Sequence, residues 1–76
     1  MDSEFLATLL GSVPAYTEAT FTVAGGRTVV GMARDLPRLG RRWTVNGWEW
    51  FLDADTLTRL GVTHVAFEPF DVNVNQ

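Results

Sequence analysis

The chain contains no cysteine, no lysine and only one histidine in 76 residues, and no apolar run in it approaches the length needed to span a bilayer. Without cysteine, disulfides and thiolate metal sites are excluded, and the redox state of the compartment leaves no mark on the sequence. A single histidine makes a metal cluster only with carboxylate help. The opening Met-Asp-Ser-Glu-Phe is acidic where a secretory leader is basic. The expectation is a soluble protein that stays where it is made and does not engage a membrane. The hydrophobic core of so small a domain supplies about 3–5 kcal/mol unaided. With disulfides gone, self-association is the remaining way to stabilise it.

Catalytic patterns are equally scarce. His64 falls mid-strand, and the carboxylates of Asp53, Asp55 and Glu68 lie near it in sequence, but a polar-face strand residue accounts for it more simply. Asp53 and Asp55 are spaced like calcium-loop ligands yet lack the loop's glycine and closing glutamate, and a helix cap explains them better. Gly25-Gly26-Arg27 lacks the strand-to-helix setting of a phosphate loop, and Ser3 and Ser12 have no nucleophile elbow around them. These readings point away from an enzyme and call for no cofactor and no metal.

What is present is concentrated. Residues 34–50, RDLPRLGRRWTVNGWEW, hold four of the chain's arginines and all three tryptophans. Their local charge is +2, against −5 for the remainder and −3 overall. An acidic chain of this kind neutralises few phosphates, which disfavours general or sequence-specific nucleic-acid binding. The split suits packing between copies or against a charged partner. Asn46-Gly47 predicts a two-residue hairpin turn, because a type I′ turn needs positive φ at both central positions. That register pairs Val45 with Trp48, Thr44 with Glu49 and Trp43 with Trp50, and sets Trp43, Val45, Trp48 and Trp50 on one face. The tryptophans bury roughly 150–250 Å² each when covered. Such a face is core with a solvated arginine rim, a protein-binding surface or, least in keeping with the charge, a stacking platform for nucleic acid. A mixed role fits best, with one of Trp43 and Trp50 in the core and the other at an interface. The candidate partner-binding residues are Arg38, Arg41, Arg42, Trp43, Trp48 and Trp50.

Along the rest of the chain, Ser3 is a candidate N-cap for a helix through Leu10, stopped by Gly11, with Phe5, Leu6, Leu9 and Leu10 on one stripe. So short a helix holds only by docking, which adds Phe5, Leu6 and Leu9 to the candidate contacts. Residues 16–23 alternate as a strand with Ala19, Phe21 and Val23 inward, and Gly25-Gly26 turns into a second strand over 27–34. Gly31 suggests a bulge or corner there. Residues 35–42 read as a loop. Asp53-Ala54-Asp55 could cap a helical turn over 55–60 with Leu57 and Leu60 inward and Gly61 ending it, and strands follow at 62–67 and 70–74. The expected fold is mainly β (α+β), with a short N-terminal helix followed by a small five- to six-stranded antiparallel barrel or sandwich. In domain terms this is an N-terminal helical arm over 1–13 and a β-barrel domain over 14–76 with a variable hairpin at 35–50.

From residue 19 onward the order of elements resembles the head–tail joining proteins of lambda-like tailed bacteriophages. The stretches that carry the likeness are ATFTVAGG (19–26), VVGMARDLP (29–37), FLDADTLTRLGVTHV (51–65) and EPFDV (68–72). The hairpin region is shorter and richer in tryptophan than that family's pattern. The resemblance implies a virion protein, present in the host cytoplasm before assembly, that forms a ring and joins portal and adaptor on one side to the tail on the other. It further implies that residues 1–13 and 35–50 order on docking. A small phage-encoded inhibitor of a bacterial defence complex is the alternative that size and charge also permit.

Overall fold

Strict alternation over Glu18-Ala19-Thr20-Phe21-Thr22 produces strand β1 (Glu18–Thr22), which buries Ala19 and Phe21 on one face and leaves Glu18 exposed on the other. The computed structural model describes residues 3–46, 50–67 and 71–73. Around β1 it places β2 (Thr28–Leu36), β3 (Gly40–Val45), β4 (Trp50–Leu52), β5 (His64–Phe67) and β6 (Asp71–Asn73), with helices α1 (Ser3–Ser12) and α2 (Ala54–Arg59). The six strands form one antiparallel sheet in the order β4-β3-β2-β1-β5-β6. The first four strands are a meander. Helix α2 then carries the chain back across it, so that β5 pairs with the other side of β1. Among the described residues no pairing joins β4 to β6, so the expected antiparallel α+β sheet is present while barrel closure is not part of it.

Both helices lie on one face of the sheet and touch each other. The core between them and the strands is built from Leu6, Leu10, Val13, Ala19, Phe21, Val23, Ala33, Trp43, Leu57, Val62, Val65 and Phe67. Trp43 stands at its centre, edge-on to Phe21 with ring centroids 5.7 Å apart and tilted against Phe67 at 6.1 Å. Helix α1 is therefore a structural wall of this core. Residues 3–13 of the separate arm expected over 1–13 are docked, because Leu6, Leu10 and Val13 have an apolar sheet to cover.

Four local expectations need correction. Gly11 does not stop α1; the helix runs on to Ser12 and ends where Pro14 disfavours helical backbone at Val13. Gly31 is no bulge, since β1–β2 pairing is continuous from Glu18↔Met32 to Thr22↔Thr28. Its missing Cβ instead admits Phe21, Trp43 and Leu52, whose atoms would stand 3.4–3.5 Å from a Cβ placed there. Residues 35–42 are not a loop but the end of β2, a three-residue turn over Pro37, Arg38 and Leu39, and the start of β3, with Leu36 opposite Gly40. Proline at the first turn position and Gly40 at φ +73 match a type I turn closed by a left-handed residue. Leu60 faces outward, at the C-cap of α2, and only Leu57 of that helix is fully buried. Of the two aspartates expected to cap α2, Asp53 is the cap, its Oδ1 accepting the Thr56 N–H at 2.7 Å, and Asp55 lies within the first turn.

Candidate functional site

Asn46 has the positive φ that its turn signal implies, +53°, yet the hairpin register differs from the expected one. Val45 pairs with Trp50, Thr44 with Phe51 and Trp43 with Leu52, so the connection spans residues 46–49 instead of two residues. Trp43 and Trp50 share a face but are not opposite each other. The reason is room. Trp43 already fills the space between Phe21 and Phe67, and the smaller Leu52 beside it reaches over Gly31. The expected Val45–Trp48 and Thr44–Glu49 pairs are replaced by Val45–Trp50 and Thr44–Phe51; Trp48 lies outside the described residues.

The candidate contact residues divide sharply. Trp43 is 2 % exposed and Leu6 is fully buried, so both belong to the chain's own core and present no surface. Leu9 packs partly against that core. Arg41 is a structural residue as well. Its Nη1 donates to the carbonyls of Leu10, at 3.1 Å, and Val13, at 2.7 Å, and the indole N–H of Trp43 donates to the same Leu10 carbonyl at 3.1 Å. The C-terminal carbonyls of α1, which have no partner within the helix, are thus satisfied from β3, with a cation where the helix dipole favours one. The guanidinium also grips Asp35 directly across the hairpin, Nε to Oδ1 at 2.6 Å and Nη2 to Oδ2 at 3.3 Å. That hydrogen bond, reinforced by the charge of Arg41, holds the Asp35 carboxyl below its ordinary value.

What remains at the surface is an aromatic end strand. Trp50 is 60 % exposed and Phe51 is 51 % exposed, on opposite faces of β4. Beside them runs a groove of about 510 Å³ between the C-terminal half of α1, strands β3 and β4, and the start of α2. Ala7, Leu10, Arg41, Arg42, Phe51 and Leu52 are among the residues that line it. Arg42 lies on the uncovered sheet face directly opposite Arg34, and its Nη1 donates to the Arg41 carbonyl at 2.8 Å. Arg34 in turn donates through Nε to Thr44 Oγ1 at 3.0 Å, which helps to satisfy that buried hydroxyl. Arg38 is exposed at the tip of the β2–β3 turn next to Leu39, and Phe5 is exposed on the outer side of α1. Phe51 and Leu39 complete this surface without having stood among the candidate contacts. The signal for Phe51 was the true register, which exposes it; the signal for the Arg41 clamp was the Pro37/Gly40 turn, which puts positions 35 and 41 opposite each other.

His64 is a half-buried strand residue opposite Thr22 and Asn73. Among the described residues no three His, Asp or Glu side chains gather as a metal ion requires, and no helix is long and apolar enough to cross a membrane. Compared with known proteins, the chain matches no family model, no curated protein and no solved structure. An exposed indole and phenyl ring lie beside arginines and an apolar groove, the residue types that carry binding energy in protein interfaces.

Proposed function

We propose that the chain is a non-enzymatic structural subunit of a tailed-phage neck, a ring member that joins the capsid portal to the tail and passes from host cytoplasm into the virion. The observation that carries this reading is the aromatic end strand of a chain whose core is already complete. Trp43 fills the interior, whereas Trp50 and Phe51 stay largely exposed, one on each face of the sheet's end, with Arg42 close by. An assembly subunit has a use for such a surface. The ordering of elements that resembles the head–tail joining proteins supplies the particular assembly. Portal-side and tail-side neck proteins are its partners in this reading, with nucleic acid and membrane left aside. Deleting the gene is the test. Filled heads and detached tails should accumulate together in electron micrographs of the lysate. Normal particles from a host without defence systems, with a growth defect only where such systems are present, would identify a defence inhibitor instead.

A further inference from the structure

Strands β4 and β6 are the two ends of the sheet, and an antiparallel sheet of six strands runs its first and last strands in opposite directions. We propose that β4 of one copy pairs with β6 of the next, so that the sheet continues from subunit to subunit. Two copies in the same orientation then meet antiparallel at this junction, which is the geometry of a head-to-tail repeat that closes into a ring. This deepens the assembly reading by naming the surfaces through which copies join.

Three observations favour a second copy as the occupant of the β4 edge. Natural sheets blunt their edges with charge or proline, and Trp50-Phe51-Leu52 carries neither. Each edge strand is three residues long, so the two match in length. The charges complement each other: Arg42 lies beside β4 on strand β3, whereas β6 carries Asp71 and no basic residue. Three-residue strands form few ladder hydrogen bonds, so the aromatic side chains supply most of the contact.

Register makes the pairing testable. Val72 stands opposite Val65, and Leu52 and Trp50 stand opposite Trp43 and Val45. Side chains alternate along strands, so a sheet that keeps its helix-covered face continuous sets either Trp50 or Leu52 against Val72 of the neighbour. Directly opposite strand positions are about 4.5–5.5 Å apart at Cα, within disulfide reach. Because the chain has no cysteine, the double variants Trp50→Cys with Val72→Cys and Leu52→Cys with Val72→Cys report only on this junction. On oxidation, one of the two should give a ladder of covalent oligomers well beyond dimer on a non-reducing gel, while each single variant, which has no thiol opposite it at this junction, should stay monomeric. Reduced Trp50→Cys, at a largely exposed position, should melt like the unaltered chain, and reduced Leu52→Cys, which trims a core-packed side chain, should melt lower but still cooperatively. In a chain without cysteine substitutions, Phe51→Arg should leave melting intact and weaken self-association by about tenfold or more in sedimentation. Dimer alone from the Trp50→Cys or Leu52→Cys variant in undiminished yield would overturn the proposal in favour of a two-fold β4–β4 contact. An internal disulfide in a monomer would overturn it in favour of a barrel closed within one chain. Failure of both double variants to cross-link while folded would overturn it outright. The readout is on purified chain, so it can fail while the neck assignment stands, and the reverse also holds.

Discussion

Trp43 and Trp50 lie seven positions apart on paired strands and do opposite work. One is packed between Phe21 and Phe67, the other is largely in solvent. Trp43→Ala should cost about 3–5 kcal/mol, comparable to the whole stability of a domain this small. Trp50→Ala should shift stability by less than about 0.5 kcal/mol and impair association. Thermal melting of both variants, alongside sedimentation of the second, checks this. That one tryptophan is core and the other surface was legible from the load of apolar surface on one hairpin. Which was which depended on register. Arg41 shows the limit more plainly, because in sequence it is one of three arginines clustered in five positions, all read as surface. Nothing local tells that its guanidinium reaches the carbonyls of Leu10 and Val13, 28 or more positions away. Arg41→Glu should therefore destabilise the fold by about 1–3 kcal/mol by orphaning those carbonyls and setting two acids together, whereas Arg38→Glu should stay within about 0.5 kcal/mol. Denaturant unfolding of the two variants separates a clamp from a rim charge.

At the scale of elements, the strands read most clearly where alternation is strict. β1 and β2 emerge from the pattern of Ala19, Phe21 and Thr22 and from Gly25-Gly26, and α2 from Asp53 and Gly61. The β2–β3 hairpin was hidden because Asp35, Arg41 and Arg42 look like loop composition, although Asp35 and Arg41 pair across it. Strand character here comes from the partner strand and not from propensity. Gly31 marks the same limit: its role is space for three side chains from other strands. Gly31→Ala, whose Cβ meets only ordinary contacts, should be tolerated, and Gly31→Val should cost about 1–3 kcal/mol from overpacking. The cap of α2 carries a pH signature. The Thr56 backbone N–H bonded to Asp53 holds that carboxyl below its ordinary 3.8. A lowered carboxylate pKa stabilises the folded state above the unfolded value and loses that contribution as pH falls through the folded one. Asp53→Ala should thus cost about 1 kcal/mol at neutral pH, and the gap between variant and unaltered chain should narrow below pH 3.8. Urea titrations at neutral and acid pH would show a constant gap if the cap played no part.

At the scale of the whole molecule, one helix, one sheet and one crossover helix share a single core, and the α+β class was legible because each strand segment carries its own turn signals. The position of α1 was not. Its stripe announces docking without naming the surface it docks on, and an arm swung to a neighbour satisfies the same pattern. With Leu6, Leu10 and Val13 against the sheet and their carbonyl end held by Arg41 and Trp43, deletion of residues 1–12 should unfold the β-domain rather than leave it folded and unable to assemble; a cooperative melt in the truncated chain would contradict that. What this core leaves uncovered, the aromatic edge at β4, is the feature on which the proposed subunit role rests. The most direct measurement of the proposed neck role is the copy number of the chain in purified tailed-phage virions produced from a genome that carries its gene, obtained by quantitative mass spectrometry relative to the portal protein. A fixed ratio to portal subunits, kept through gradient purification, is the result expected of a neck ring. Complete absence from infectious particles would contradict it.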